Sequence, residues 1–389
     1  MSSPAVVIVK TGRFPMAYGI LGAIRSAHAA GFRTYAFADS THVPYAWSRA
    51  LTAPITRAPD VPCLLALAER TGPAALIAAS DGAAVLIADN LDTLRHGGYL
   101  LPGIPSDLPR VVADKARLSH VAADCGVAAP LTVAGVDLDV EDFVTSGRLP
   151  VVVKTGQMWR NAHALDVVPT TIVEEAAVLR EVVAARRESI VVQDYLPAQG
   201  AEDWIVNAYV DARGDVLFCG TARKYRSWLP GTGVACLARA EPNPQVDRLS
   251  RRLLQGVGYR GLVDVDFRLD PRDGIYKLLD FNPRMGAASR VFRSSAGLDL
   301  VQIALLDLVG RSPGPQEQQY GVRLLVENLD APARFAYRSH VPRRPGDAVR
   351  LSWWDPSDPL PFLAMVPWQV GQWSLQVEKR VRQRVRSNR

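Results

Sequence analysis

Asp280, Asn282, Arg284 and Arg290 crowd the end of an apolar run in the stretch KLLDFNPRMGAASR, residues 277–290. Residues two apart in a strand share a face, so Asp280 and Asn282 present oxygen atoms side by side. A second apolar run, GLVDVDFRLD, precedes the turn signal DPRDG and brings Asp266 to the facing strand, toward the same point. Two carboxylates and an amide are the hard oxygen ligands that Mg²⁺ takes, leaving other octahedral positions to phosphate oxygens and water. Arg284 adds a planar fork able to hold a carboxylate or phosphate in two hydrogen bonds. The polar end of an ordinary surface hairpin accounts for the same residues, Asn-Pro being a common turn starter. Arg290 stays unassigned, since substrate contact and the start of the next helix fit it equally.

Two lysines sharpen the first reading. Lys154 ends the run PVVVK, where a lysine fixed at a strand end meets polyphosphate as a point charge, and Lys115 stands near the start of the helix after a linker. Each alone reads as a surface lysine. The segment VVQDYL, Gln193, Asp194, Tyr195 and Leu196 included, is an apolar strand end whose backbone can pair with an adenine edge. A carboxylate a few residues on, Glu202 or Asp203, is placed to hold a ribose hydroxyl.

The elements that must position these groups follow from the apolar pattern. Over the first hundred residues strands (AVVIVK, RTYAFAD, AALIAAS) alternate with helical patterns, which predicts a parallel sheet covered by helices. The turn after the first strand, KTGRFPMAYG, lacks the GxGxxG dinucleotide fingerprint. SDGAA, from Ser80, opens a helix and reads either as an anion-holding N-terminus or as an ordinary capped start. The Pro- and Gly-rich LPGIPSDLPR is a linker; a helix to Gly126, a strand to Lys154, a helix over TIVEEAAVLREVVAARR and a strand over SIVVQDYLP follow. DARGD and DPRDG each turn a hairpin, PQVDRLSRRLLQGVG is a helix, and GLDLVQIALLDLVG is the last clear one.

Composition removes several function classes. A chain of 389 residues, 48% hydrophobic and 22% charged, holds two or three packed units. No apolar stretch reaches the roughly 18 residues of a membrane span. The start shows no secretory leader, so a cytoplasmic location is expected. Cys63, Cys125, Cys219 and Cys236 are scattered and read as buried apolar groups. Much of the net charge of +6 sits in the tail EKRVRQRVRSNR, a solvated end or a contact for a membrane surface, RNA or another chain. No basic and aromatic interleaving elsewhere supports nucleic-acid binding.

The ordered set DKARL, CGVAAPLT, PVVVK, VVQDYL, VDFRLD and LLDFNPRMG resembles the ATP-grasp superfamily, and with SDGAAVLIADNLDTL it is similar to the bacterial carboligase-like branch that includes D-aspartate ligases. The resemblance covers roughly residues 5–310. It implies an α/β fold: an N-terminal parallel-sheet pre-ATP-grasp domain (1–105), an ATP-grasp domain (106–310) whose lid spans about residues 150–200, and a C-terminal extension (311–389) with the basic tail. The implied activity is ATP-dependent carboxylate-amine ligation with Mg²⁺ or Mn²⁺, on a small-molecule acid and amine, and homodimers are common in the superfamily. Lys154 then binds the α-phosphate, Lys115 also reaches the nucleotide, Gln193–Leu196 meet the adenine, and Glu202, with Asp203 as runner-up, the ribose. Asp266, Asp280 and Asn282 bind metal, with Asp264 competing for the place of Asp266. Arg284 clamps the acyl-phosphate. ARKYRSWLPGTG resembles an R-x-K-x-R-x-x-P segment of this branch, and Arg223, Lys224 and Arg226 are expected at the γ-phosphate and the acid.

One departure stands out. The loop after Lys154, TGQMWRNAHALD, has a single glycine where the family carries a Gly- and Ser-rich cover, so either side chains of Arg160, Asn161 or His163 replace backbone contacts or the site is weakened or specialised. A nucleotide-binding regulator without turnover, and a ligase acting on a peptide, protein or surface polymer through the tail and Trp353, Trp354 and Trp368, are the alternatives.

Overall fold

The computed structural model describes residues 3–160, 170–228, 233–337 and 341–371. Its first unit is a sheet of five parallel strands, β1 (Ala5–Val9), β2 (Arg33–Phe37), β3 (Ala53–Ile55), β4 (Ala74–Ala78) and β5 (Tyr99–Leu100), in the order β3-β2-β1-β4-β5. Strand β1 is five consecutive buried apolar residues, as a strand covered by helices on both faces requires. The edge strands β3 and β5 escape the sequence reading because they are three and two residues long. SDGAA is an ordinary capped start: Ser80 Oγ accepts from Ala83 N at 3.3 Å and from Thr11 N at 2.9 Å. A Cβ on Gly82 would run into Thr11 Oγ1, so a side chain there would have to displace the hydroxyl that meets Ser80.

The lid sheet contains β6 (Thr132–Ala134), β7 (Val151–Thr155), β8 (Thr171–Val173) and β9 (Ile190–Asp194), ordered β6-β9-β7-β8. Residues 171–187 are not one helix as expected. Thr171, Ile172 and Val173, all three β-branched, pair antiparallel with β7, and the helix starts at Ala176.

The third sheet has seven strands: β10 (Glu202–Val210), β11 (Val216–Trp228), β12 (Val234–Ala240), β13 (Gly261–Asp270), β14 (Ile275–Asn282), β15 (Val322–Leu325) and β16 (Ala348–Leu351). Their order is β14-β13-β10-β11-β12-β15-β16. Both hairpins form where DARGD and DPRDG place them, with Gly214 and Gly274 at positive φ.

The expected break at residue 310 is absent, because β15 and β16 extend the same sheet. The segment beyond packs onto the N-terminal unit. Trp353 is fully buried in the same apolar cluster as Ile24 and Tyr45, and the Trp368 indole donates to His42 O at 3.0 Å. Trp354 is half-exposed and meets Phe362 edge-on. Asp358 accepts from Arg25 Nε at 2.9 Å, Ser48 Oγ at 2.6 Å and Arg49 N at 2.9 Å, all inside the contact. Arg290 belongs here too, donating to Leu351 O at 3.3 Å, so it joins the C-terminal segment to the core. The four cysteines are free thiols.

Removing one partner of a buried ion pair strands the other charge. Asp358→Ala is expected to lower stability by about 3–5 kcal/mol in denaturant unfolding, against under about 1 kcal/mol for an exposed pair. A loss in the lower range contradicts this account of how the C-terminal segment is held.

Candidate active site

A cleft of about 510 Å³ runs between the lid and the seven-stranded sheet. Strand register decides what enters it. Asp264 pairs with Asn282 and Asp266 with Asp280 across β13 and β14, so all four point to the cleft as the two-residue period predicts. Across β10 and β11, Asp203 pairs with Lys224 and Trp204 with Arg223. Asp203 and Lys224 face the cleft.

Three expected site residues lie elsewhere. Glu202 and Arg223 are one residue out of phase, on the rear face with Trp204, where Arg223 Nη2 meets Glu202 Oε1 at 2.9 Å. Arg226 is two residues from Lys224 and should share its face, but the β11–β12 ladder shifts register between them. Arg226 therefore ends buried against Asp330 on the rear side. Of the two ribose candidates Asp203 is the one in the cleft, its carboxylate held in two bonds by Arg268 at 2.6 and 2.8 Å.

The cations come from the lid side and from β11. Asp114 caps the helix Lys115–Asp124 by accepting from Ala116 N at 3.0 Å, which starts the helix at Lys115 and aims its ammonium at Asp280 Oδ1, 2.5 Å away. Gln157 of the glycine-poor loop donates to the other oxygen of Asp114 at 2.7 Å, tying the loop to that cap. Arg160 is exposed, while Asn161 and His163 lie outside the described residues. Lys154 Nζ donates to Leu279 O at 3.3 Å, and Lys224 Nζ is 3.3 Å from Asp266 Oδ1.

Burial and the neighbouring Lys115 push the Lys154 ammonium down to about 8, against the pull of Asp280 and Asp266. Burial opposes charge on Asp280, yet Lys115 and Lys154 outweigh it and hold the carboxyl below its usual range. Burial raises Asp266, opposed by Lys224 and reinforced by the like charges of Asp264 and Asp280. Lys224 is disfavoured as a cation by burial, but Asp266 and Asp203 lift it above the ordinary lysine value.

Arg284 reaches across to the N-terminal unit. Its Nη1 donates to Asp264 Oδ2 at 2.9 Å, and its Nε stands 3.4 Å from Asp81 Oδ1, at the head of the SDGAA helix. Asp81 was not expected in the site, nor was Tyr18, which lines the cleft and donates to Ala235 O at 3.3 Å. SDGAA carried a signal for Asp81; nothing in the sequence marked Tyr18. Asn207, also unforeseen, donates to Asp264 Oδ1 at 2.7 Å. A Cβ on Gly286 would come within 2.3 Å of Asn207 Oδ1, so the glycine of NPRMG lets the Arg284 turn close onto it.

The adenine-edge reading narrows. Gln193 and Asp194 also line the cleft, but their backbones are inside the lid sheet, with Asp194 N donating to Leu131 O at 2.9 Å, and the Gln193 amide is bonded to Thr132. Tyr195 and Leu196 leave the sheet just beyond and line the cleft.

Among the described residues no three His, Cys, Asp or Glu side chains form a ready metal cage. The donor set still fits a hard cation. Asp264 is occupied by Asn207, Asn282 and Arg284, whereas Asp266 and Asp280 each contact one lysine. Asn282 gives its NH₂ to Asp264 O at 3.3 Å, which leaves its carbonyl oxygen as the remaining ligand atom.

No protein-family model matches the sequence. Over 132 residues the chain is 29% identical to a D-aspartate ligase of Enterococcus faecium (strain Aus0004), a stretch amounting to 33% of this chain and 31% of that protein. The match thus spans about a third of the curated relative. Among solved structures, N5-carboxyaminoimidazole synthetase from Staphylococcus aureus complexed with ADP superposes with a TM-score of 0.62 at 13% identity, covering 82% of this chain and 80% of that one. The biotin carboxylase domain of the Hydrogenobacter thermophilus 2-oxoglutarate carboxylase, in complex with MgADP, gives 0.61 at 15% identity over 83% and 74%. These likenesses bear out the α/β fold expected from the sequence, with its N-terminal parallel sheet.

With Lys154 losing its proton near pH 8, affinity of the cleft for an anion such as ADP should fall as the pH rises from about 7 to about 9. Lys154→Arg should flatten that dependence, because the guanidinium stays charged. Wild-type affinity that is the same at both ends, measured by calorimetry, contradicts the assignment.

Proposed function

We propose, from the premise of the ATP-grasp fold, that this protein is an ADP-forming carboxylate-amine ligase acting on a small acid. The observation that carries the reading is the convergence of Lys115, Lys154, Lys224 and Arg284 with Asp266, Asp280 and Asn282 on one cleft. The partial likeness to a D-aspartate ligase supports an amino acid as one substrate. The ADP complexes among the structural neighbours support the nucleotide.

In this reading Lys154 and Lys115 take the phosphates, the Tyr195–Leu196 backbone takes the adenine edge, and Asp203 takes the ribose. Asp266, Asp280 and Asn282 hold Mg²⁺ or Mn²⁺, which when bound neutralises phosphate charge. The acid's carboxylate oxygen attacks the γ-phosphorus, the bond to the β-phosphate oxygen breaks, and ADP leaves. The amine then attacks the acyl carbon and displaces phosphate. Lys224, facing Asp266 and Asp203, neutralises the transferring phosphoryl group, and Arg284 steadies the acyl-phosphate and its tetrahedral successor. Its two carboxylate partners fix the guanidinium in advance. Small-molecule substrates, a cytoplasmic location and a homodimer complete the proposal. Among the described residues no helix is long and apolar enough to cross a membrane. The polymer-ligase alternative keeps only Trp354 of its three tryptophans at the surface, because Trp353 and Trp368 are used in holding the C-terminal segment.

Screening amino and other small acids for phosphate release, with mass spectrometry of the product, tests the reaction. Turnover should require both an acid and an amine; ATP binding without acid-dependent ADP release would instead identify a regulator. Lys224→Ala should lower turnover on the order of a hundredfold, about 3 kcal/mol in the transition state. Arg223→Ala, on the rear face, should stay within about threefold, a change of under 1 kcal/mol. Asp280→Ala, Asn282→Ala and Lys154→Ala should nearly abolish turnover; normal activity in all three removes the assignment.

A further inference from the structure

The C-terminal helix, residues 360–371, is apolar on two faces. One face is spent on the N-terminal unit, where Met365 is buried and Phe362 and Trp368 pack against the core. The other carries Leu363, Val366 and Val370, exposed to 57%, 45% and 53%. Their three-and-four spacing makes one stripe. The stretch 360–371 has no charged side chain at all. A helix apolar on two faces is a helix with something on both sides, and among the described residues nothing covers the second.

The sequence that follows says what kind of surface fits. In the sequence beyond, the apolar residues Trp373, Val377 and Val381 recur at intervals of three and four after Val370. Residues 372–389 contain six Lys or Arg and one Glu, so they supply +5 of the chain's formal +6. The body of the protein is nearly neutral, and its positive charge is concentrated directly after the exposed apolar stripe. An apolar stripe continuous with a basic segment combines the two signals that hold a peripheral protein on anionic lipid, buried apolar area and attraction to headgroups.

We propose that the C-terminal segment from Leu363 onward is a docking surface for an anionic membrane, with Leu363, Val366 and Val370 entering the headgroup boundary and the arginines beyond lying on the lipid charge. This surface is remote in composition from the cleft and does not depend on the ligase reading. Neutral lipid lacks half of the attraction, so binding should be specific to anionic vesicles and weaken as salt rises.

Co-sedimentation of the full chain with phosphatidylglycerol–phosphatidylcholine vesicles, against pure phosphatidylcholine, tests it. The full chain should bind the anionic vesicles alone. Each of Arg380→Gln, Arg382→Gln and Arg384→Gln should weaken binding about fivefold. The triple variant Leu363→Ser, Val366→Ser, Val370→Ser should weaken it at least about tenfold with its thermal midpoint unchanged. No sedimentation, equal binding to both vesicle types, or full binding by the triple variant overturns the proposal. So does an altered melting point or loss of self-association in that variant, which would place the stripe inside a contact of the protein with itself, and so does binding to an RNA oligonucleotide in place of vesicles.

Discussion

The cleft is built on opposite charges that hold one another: Lys115 on Asp280, Lys224 on Asp266, and Arg284 between Asp264 and Asp81. A buried charge left alone costs several kcal/mol, so neither the carboxylates nor the lysines could be assembled there singly. Paired, they can wait at the site in the absence of ligand. On the proposed reading the binding of a metal nucleotide is an exchange of partners, in which phosphate takes the lysines and a hard cation takes the freed carboxylates.

The rest of the structure keeps those pairs in register. The β13–β14 hairpin sets two acids opposite an acid and an amide, and Asp114 starts a helix at the residue that must point across the cleft. Arg284 depends on something more distant. Asp81 reaches it because the N-terminal unit is clasped to the large sheet, through Met285 N donating to Ala78 O, Ser26 on Asp299, and Arg25 on Asp358 and Trp353 O among other contacts. The C-terminal residues are thus part of the support of the cleft, although they contribute no group to its lining.

Local periodicity made much of this legible in the sequence. The two hairpins, the shared face of Asp280 and Asn282, the strand-end Lys154 and the capped SDGAA helix all follow from spacing within a dozen residues. What could not be read was parity and distance. Glu202 and Asp203 are adjacent carboxylates, and only pairing with β11 and β13 decides which meets the cleft. Arg226 has the spacing of a site residue and is turned away by a register shift that leaves no mark in the residues themselves. Asp81, Tyr18 and Asn207 join the site through contacts between elements far apart in the chain. The strands β15 and β16 are four residues each, too short to separate from the loops around them.

On the proposed reading, cations and carboxylates of the cleft change partners together when ligand binds. Calorimetric titration of the protein with ADP, with and without Mg²⁺, tests it most directly. Coupled exchange predicts that ADP binds at least about tenfold more tightly when the metal is present, because each ligand frees the groups the other uses. ADP affinity indifferent to Mg²⁺ would contradict it.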